Sequence, residues 1–260
     1  MKKTAIIFTS VTAALGAVGA ALHSMEIRTA IDPGNGLAVR FAPITVCMTI
    51  VAILAMVIIF ALTFLIKGRS TEPVYHVAFA QKTPAALIIT ALAGAAMIAG
   101  AYICFRSGVG YRSSDRLALI LAIFAALSGV SCTALCIMAY LKKNGIEFML
   151  CTSVIVLFHC LWLVVSYLEK SADPAMINYV YDYLAICASA VAGYYTAGYA
   201  FGSSRPKRTL ALSMAAAFFC LTAMPTALTS SFSIFYGASA VYQLVNVFLL
   251  ANNLQRSPNE

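Results

Sequence analysis

The sequence predicts an all-α protein, a polytopic transmembrane helix bundle of about eight spans with both termini cytoplasmic, and three observations carry that prediction. About eight stretches of roughly 19 to 26 residues contain no Asp, Glu, Lys or Arg, and a helix needs about 20 mostly apolar residues to cross a bilayer. Hydrophobic residues make up 62% of the chain against 10% charged, and the mean hydropathy is +0.90. The linkers are short. The two longest, from His23 to Arg40 and from Lys67 to Pro84, hold about 18 residues each, too few for a soluble domain. The chain therefore reads as a single integral membrane domain, 1–260.

The spans fall at about 4–22, 41–66, 85–105, 117–141, 148–168, 183–202, 209–229 and 232–251. The first has a rival reading. Met1-Lys2-Lys3, an apolar run and then Val18-Gly19-Ala20-Ala21 share the outline of a cleavable secretory signal. Its apolar run of about 19 residues exceeds the roughly 7 to 15 of a signal core, which favours a retained helix. Between spans two and three, Val74, Tyr75, His76, Val77 and Phe79 give the linker an amphipathic character, read either as an ordinary connection or as a segment in the headgroup layer. Asp173-Pro174 is a helix start, with Asp as N-cap and Pro at the first helical position, so the sixth helix begins outside the bilayer. Tyr179, Tyr181 and Tyr183 cluster at its outer end and Tyr194, Tyr195 and Tyr199 at its inner end, as interfacial belts do, the alternative being an aromatic-lined cavity for a ligand.

Small residues recur every fourth position at Ala13, Ala17 and Ala21, at Ala91, Ala95 and Ala99, at Ala118, Ala122 and Ala126, and at Ser189, Gly193 and Ala197. Such stripes let helix backbones approach closely in lipid. A faint repeat pairs the loop Arg28 to Pro33 with Lys170 to Pro174, and Gly68 to Pro73 with Gly202 to Pro206. It would divide the chain into parallel halves at 1–144 and 145–260, with a site between them. Turn chemistry alone also favours Asp, Ser, Gly and Pro in loops.

Orientation follows the cations. A cytoplasmic N-terminus puts Lys2, Lys3, Lys67, Arg69, Lys82, Lys142, Lys143, Arg205, Lys207, Arg208 and Arg256 inside, eleven of the seventeen. Arg106, Arg112 and Arg116 in the third loop run against the rule. The net charge of +8 is scattered over short loops and forms no aromatic-interleaved groove, so anionic lipid explains it and nucleic acid is excluded as a partner. The lysine-led start and short loops point to a bacterial inner membrane.

Chemistry has few places to reside. The eight cysteines, Cys47, Cys104, Cys132, Cys136, Cys151, Cys160, Cys187 and Cys220, lie in or beside apolar spans without metal-ligand spacing and read as small buried hydrophobes. Intramembrane proteolysis lacks its HExxH or paired aspartates. Haem lacks histidines at matching depth, since His23 and His76 are peripheral and His159 central. No metal or other cofactor is expected. Asp182, Glu169 and Glu147 are rim carboxylates, read as solvated.

Polar residues inside spans face the bundle and need partners. Thr152, His159 and Ser166 share one face of span five, and Ser239, Gln243 and Asn246 one face of span eight. His159 and Gln243 fall at similar depth. Ser128 and Ser131 add to the same level from span four, and Trp162 either lines the same cavity or anchors the outer leaflet. His159, Gln243, Asn246, Ser239, Ser128, Ser131 and Trp162 thus form a candidate midplane ligand site. The competing role for these side chains is interhelical hydrogen bonding. The expectation is a non-enzymatic protein that binds or transports a small, weakly charged or amphiphilic molecule. The alternative is a membrane scaffold or sensor subunit packed against another membrane protein.

Overall fold

In lipid every backbone N–H and C=O must be satisfied within the segment, so each long apolar run is expected to close its hydrogen bonds as a helix. The computed structural model of the chain describes residues 2–31, 37, 39, 41–64, 66, 69–81, 84–107, 115–143, 145–171, 179–226 and 230–256. In chain order its helices are α1 (Lys2–Thr29), α2 (Pro43–Phe64), the short α3 (Tyr75–Ala78), α4 (Pro84–Ser107), α5 (Asp115–Tyr140), α6 (Glu147–Lys170), α7 (Val180–Gly198), α8 (Pro206–Ala223) and α9 (Ser230–Asn253). Pro43, Pro84 and Pro206 open three of them, at the position where the missing N–H costs nothing. The Asp173-Pro174 helix start, the Asp32-Pro33 and Gly68 parts of the repeat, and Arg40, Lys67, Lys82 and Arg112 lie outside the described residues.

Six of the helices, α1, α2, α4, α5, α6 and α9, are long and apolar enough to cross a membrane by length and composition. Two more long helices are more polar. α7 carries Asp182 and tyrosines at both ends, and α8 opens on Pro206-Lys207-Arg208. Nearly every residue of α8 from Thr209 to Ala223 is buried. A helix that meets protein instead of lipid tolerates the Ser, Thr and Ala found there.

α8 and α9 form the centre of the bundle. α1 packs on both, α2 lies outside α1 and α8, and α4, α5, α6 and α7 pack in succession around the other side, from α9 back to α8. Two crossings are held close by glycine. A β-carbon at Gly94 would meet the Gly129 carbonyl oxygen at 2.6 Å, so α4 and α5 touch backbone to backbone. On α1, a β-carbon at Gly16 would strike Leu221 of α8 at 2.4 Å.

The packing faces depart in part from the expected stripes. Ala118, Ala122, Ser189, Gly193 and Ala197 are buried, but Ala17, Ala21, Ala95 and Ala99 are exposed. α1 instead buries Ala5, Phe8, Thr12, Gly16, Gly19 and His23, a stripe at spacings of three and four in which glycine makes the close approach. The cysteines divide similarly. Cys104, Cys132, Cys136 and Cys220 are buried, whereas Cys47, Cys160 and Cys187 are exposed on the bundle surface, correcting the expectation of general burial.

The linker after α2 folds back over the end of the bundle where α2, α5, α7 and α9 finish, hereafter the near end. A two-residue strand β1 (Arg69–Ser70) pairs antiparallel with β2 (Gln255–Arg256), and α3 buries Tyr75, Ala78 and, just beyond it, Phe79. Asn253 Nδ2 donates to the carbonyls of Ala78 at 3.1 Å and Ala80 at 2.9 Å. Phe79 meets the Tyr199 ring at 5.4 Å, and Tyr75 that of Phe148 at 5.1 Å. The amphipathic segment thus packs on the end of the bundle as a cap.

Candidate functional site

Three of the seven sequence-selected residues converge. His159 on α6 is 1% exposed. Its Nδ1 lies 2.8 Å from the carbonyl oxygen of Ile155, one turn earlier, and its Nε2 lies 3.3 Å from Ser239 Oγ on α9. A carbonyl only accepts, so Nδ1 carries the proton and Nε2 takes the Ser239 hydroxyl proton as acceptor. Ser128 of α5 joins them around a cavity of about 10 Å³ closed by Ala93, Met97, Cys132 and Tyr242. That is room for one water at most. Chemically it is a serine–histidine pair with no carboxylate orienting the ring and no space for a substrate.

The other four fall elsewhere. Asn246 lines a second cavity of about 10 Å³, nearer the cap, with Tyr75, Gln81, Thr90, Cys132, Cys136 and Tyr242. Tyr242 borders both spaces, and the hydroxyls of Tyr75 and Tyr242 lie within reach of one another. Ser131 turns toward Cys151 of α6. Gln243 is fully buried, makes no bond to His159, and neither atom of its side-chain amide has a hydrogen-bond partner among the described residues. Trp162 is fully buried, so it is no outer-leaflet anchor, and it lines neither cavity. It sits in an aromatic cluster with Phe158, Phe232, Phe235 and Tyr236 at centroid distances of 4.7 to 5.8 Å, its indole N–H unpartnered among the described residues.

Beyond that cluster, at the far end, lies a group that sequence reading assigned to solvent. Lys170, the last residue of α6, and Asp182, in the first turn of α7, form an ion pair with side chains 2% and 1% exposed. The ammonium stands 4.5 Å from the Tyr179 ring centroid and 5.8 Å from that of Tyr183. A rim carboxylate is therefore not solvated here but enclosed with its cation. Nearby on α1, His23 Nδ1 is 2.9 Å from Glu26 Oε2, and its ring meets Tyr181 edge to face at 4.8 Å. Lys170 and Asp182 are twelve residues apart in the chain, a separation that carries no pairing signal in a sequence.

At the near end, Gln81 Nε2 donates to Cys136 Sγ, joining the cap to α5. Burial, with a smaller effect from Tyr242, pushes the Tyr75 phenol well above its ordinary pKa, so it stays a protonated hydrogen-bond donor. Among the described residues no group of three or more His, Cys, Asp or Glu is placed to hold a metal ion.

Comparison of the chain with family models, with curated proteins and with solved structures finds no match.

Proposed function

We propose that this multi-pass membrane protein binds or moves a small, weakly charged or amphiphilic molecule through the polar interior between α6 and α9, without covalent chemistry. The observation that carries the reading is Gln243: an amide fully buried in the bundle with both of its polar atoms unpartnered. Such a group costs about 1–3 kcal/mol when left unsatisfied, so it is kept for a partner that comes and goes. Trp162 Nε1 and Ser166 Oγ of α6 are likewise buried and without a hydrogen bond among the described residues. Among the described residues the Lys170–Asp182 pair is buried at the far end and the α3 cap covers the near end, so binding requires packed helices to part, as in carriers whose halves rock about a central site. In this reading eight helices span a bacterial inner membrane and the near end faces the cytoplasm, because most cations follow the positive-inside rule.

The test is native mass spectrometry of the protein extracted under mild conditions, with every bound species identified. A stoichiometric small molecule that disappears in Gln243→Ala and His159→Ala supports the reading. One observation favours the alternative of a scaffold or sensor subunit. α2 is the least covered span, and an apolar groove of about 710 Å³ runs between α2 and α7, lined by Ile53, Met56, Phe60, Leu184 and Phe219 among others. A stoichiometric membrane-protein partner, with no small molecule bound, would establish that alternative in place of the carrier.

A further inference from the structure

A second hollow opens on the outside of the bundle, between α6 and α7 at the near end, well apart from the polar core. Ser153, Val156 and Leu157 of α6 form one wall, Tyr194, Tyr195, Ala197 and Gly198 of α7 the other, and Phe201, Ser203 and Arg205 close its rim. Its volume is about 570 Å³, within the span of roughly 300–1,000 Å³ typical of ligand sites. Small residues open it. Ala197 and Gly198 leave space where larger side chains would fill the groove, and Tyr194 is turned outward, 66% exposed, with its ring edge to face on Tyr195 at 5.5 Å.

The groove has a polarity along its length. Leu157 lies ten residues into α6, about 15 Å from the start of that helix at 1.5 Å per residue, which is the hydrocarbon depth of one leaflet. The deep part is apolar and the shallow end is cationic. Arg205 is exposed, no described residue pairs with its guanidinium, and Lys207 and Arg208 follow in the next turn. The near-end carboxylates Glu72 and Glu147 do not line the groove. An apolar slot one leaflet deep, ending in an arginine that no described residue neutralises and lined also by the hydroxyl-bearing Tyr195 and Ser203, has the chemistry of a phospholipid seat. Basic pockets between helices on the cytoplasmic side hold anionic headgroups in this way.

We infer that the α6–α7 groove binds one anionic phospholipid, its acyl chain along Val156 and Leu157 and its phosphate at Arg205, Ser203 and Tyr195. The lipid covers a surface that neither α6 nor α7 covers itself, and its headgroup ties the α7–α8 loop to the membrane. This site is independent of the reading of the core, since it shares no residue with the His159 or Asn246 cavities.

The experiment uses the full-length protein in mild micelles with equal amounts of phosphatidylglycerol and phosphatidylcholine, and reads retained lipid by native mass spectrometry. One phosphatidylglycerol is retained in preference to phosphatidylcholine. Arg205→Gln lowers that retention about fivefold, as expected for one lost cation at a headgroup, while Lys207→Gln, outside the groove, lowers it less. Because Arg205 is exposed, its replacement leaves the fold intact, which helical circular dichroism checks. A second variant, Ala197→Leu, fills the slot and displaces the lipid with the arginine still present. Equal retention of the two lipids, or an unchanged Arg205→Gln, overturns the proposal. So does release of bound phosphatidylglycerol by inorganic phosphate alone, which would mark a site for a free anion.

Discussion

At the scale of single residues, the interior separates into a side chain that is satisfied and one that is not. His159 is bonded at both ring nitrogens, to Ile155 and to Ser239, and so joins α6 to α9. A double-mutant cycle on His159→Ala and Ser239→Ala should give a coupling of about 0.6 kcal/mol, the ordinary worth of an interhelical hydrogen bond in a membrane. Unfolding in mixed micelles measures it, and additive effects would show that the pair does not interact. Gln243 behaves oppositely. Replacing it by Leu removes a buried amide that pairs with nothing described, so Gln243→Leu should raise stability by up to about 1 kcal/mol while abolishing ligand retention. A loss of stability would mean the amide has a structural partner. The sequence made His159, Ser239 and Ser128 legible as one site because period and depth place polar residues of long helices. It could not tell which neighbour each side chain meets. Gln243 is one turn from Ser239, yet it lines neither cavity, and Tyr242, an aromatic in an apolar run, borders both.

At the scale of elements, the junction of α6 with α7 rests on Lys170 and Asp182. Removing both charges from a buried pair costs little, because their desolvation offsets most of their attraction, but removing one strands the other. Lys170→Met should therefore destabilise by about 3–5 kcal/mol, and Lys170→Met with Asp182→Leu should recover most of that loss. Thermal unfolding of the three proteins decides it. If the double variant were no better than the single one, the pair would be holding more than the junction. Sequence reading left these charges at a rim because apolar periodicity marks where a span ends and says nothing of what folds over the end. The same limit explains the small-residue stripes. At this alanine content several registers on one helix look alike, and only the partner selects one, as Leu221 and Thr222 of α8 select Gly16 and Gly19 of α1 over Ala17 and Ala21.

At the scale of the whole molecule, the all-helical class was legible because long apolar runs satisfy their own backbone in lipid as helices, and six of the helices are long and apolar enough to cross a membrane. The cap was not. Residues 69–81 are too short and mixed to carry a periodic signal, and their place is set by tertiary contacts with four helices and the strand after α9. The cap is the part of the fold best suited to open, since, beside the Gln81–Cys136 and Ser204–Thr71 contacts, two hydrogen bonds from Asn253 and a two-residue ladder tether it while α4 to α9 pack along their lengths. Asn253→Ala removes both of those hydrogen bonds and leaves the carbonyls of Ala78 and Ala80 unpaired, a change of about 1–3 kcal/mol in favour of the open form, or roughly five- to 100-fold in its population. Cys136 reports that opening, because it is buried beneath the cap in contact with Gln81. In a chain retaining Cys136 as its one thiol, a membrane-impermeant maleimide applied to the near-end side should label Asn253→Ala at least about fivefold faster than its parent, and label neither from the opposite side. Unchanged labelling would mean that the cap is held by its buried Tyr75 and Phe79 alone and does not gate the core.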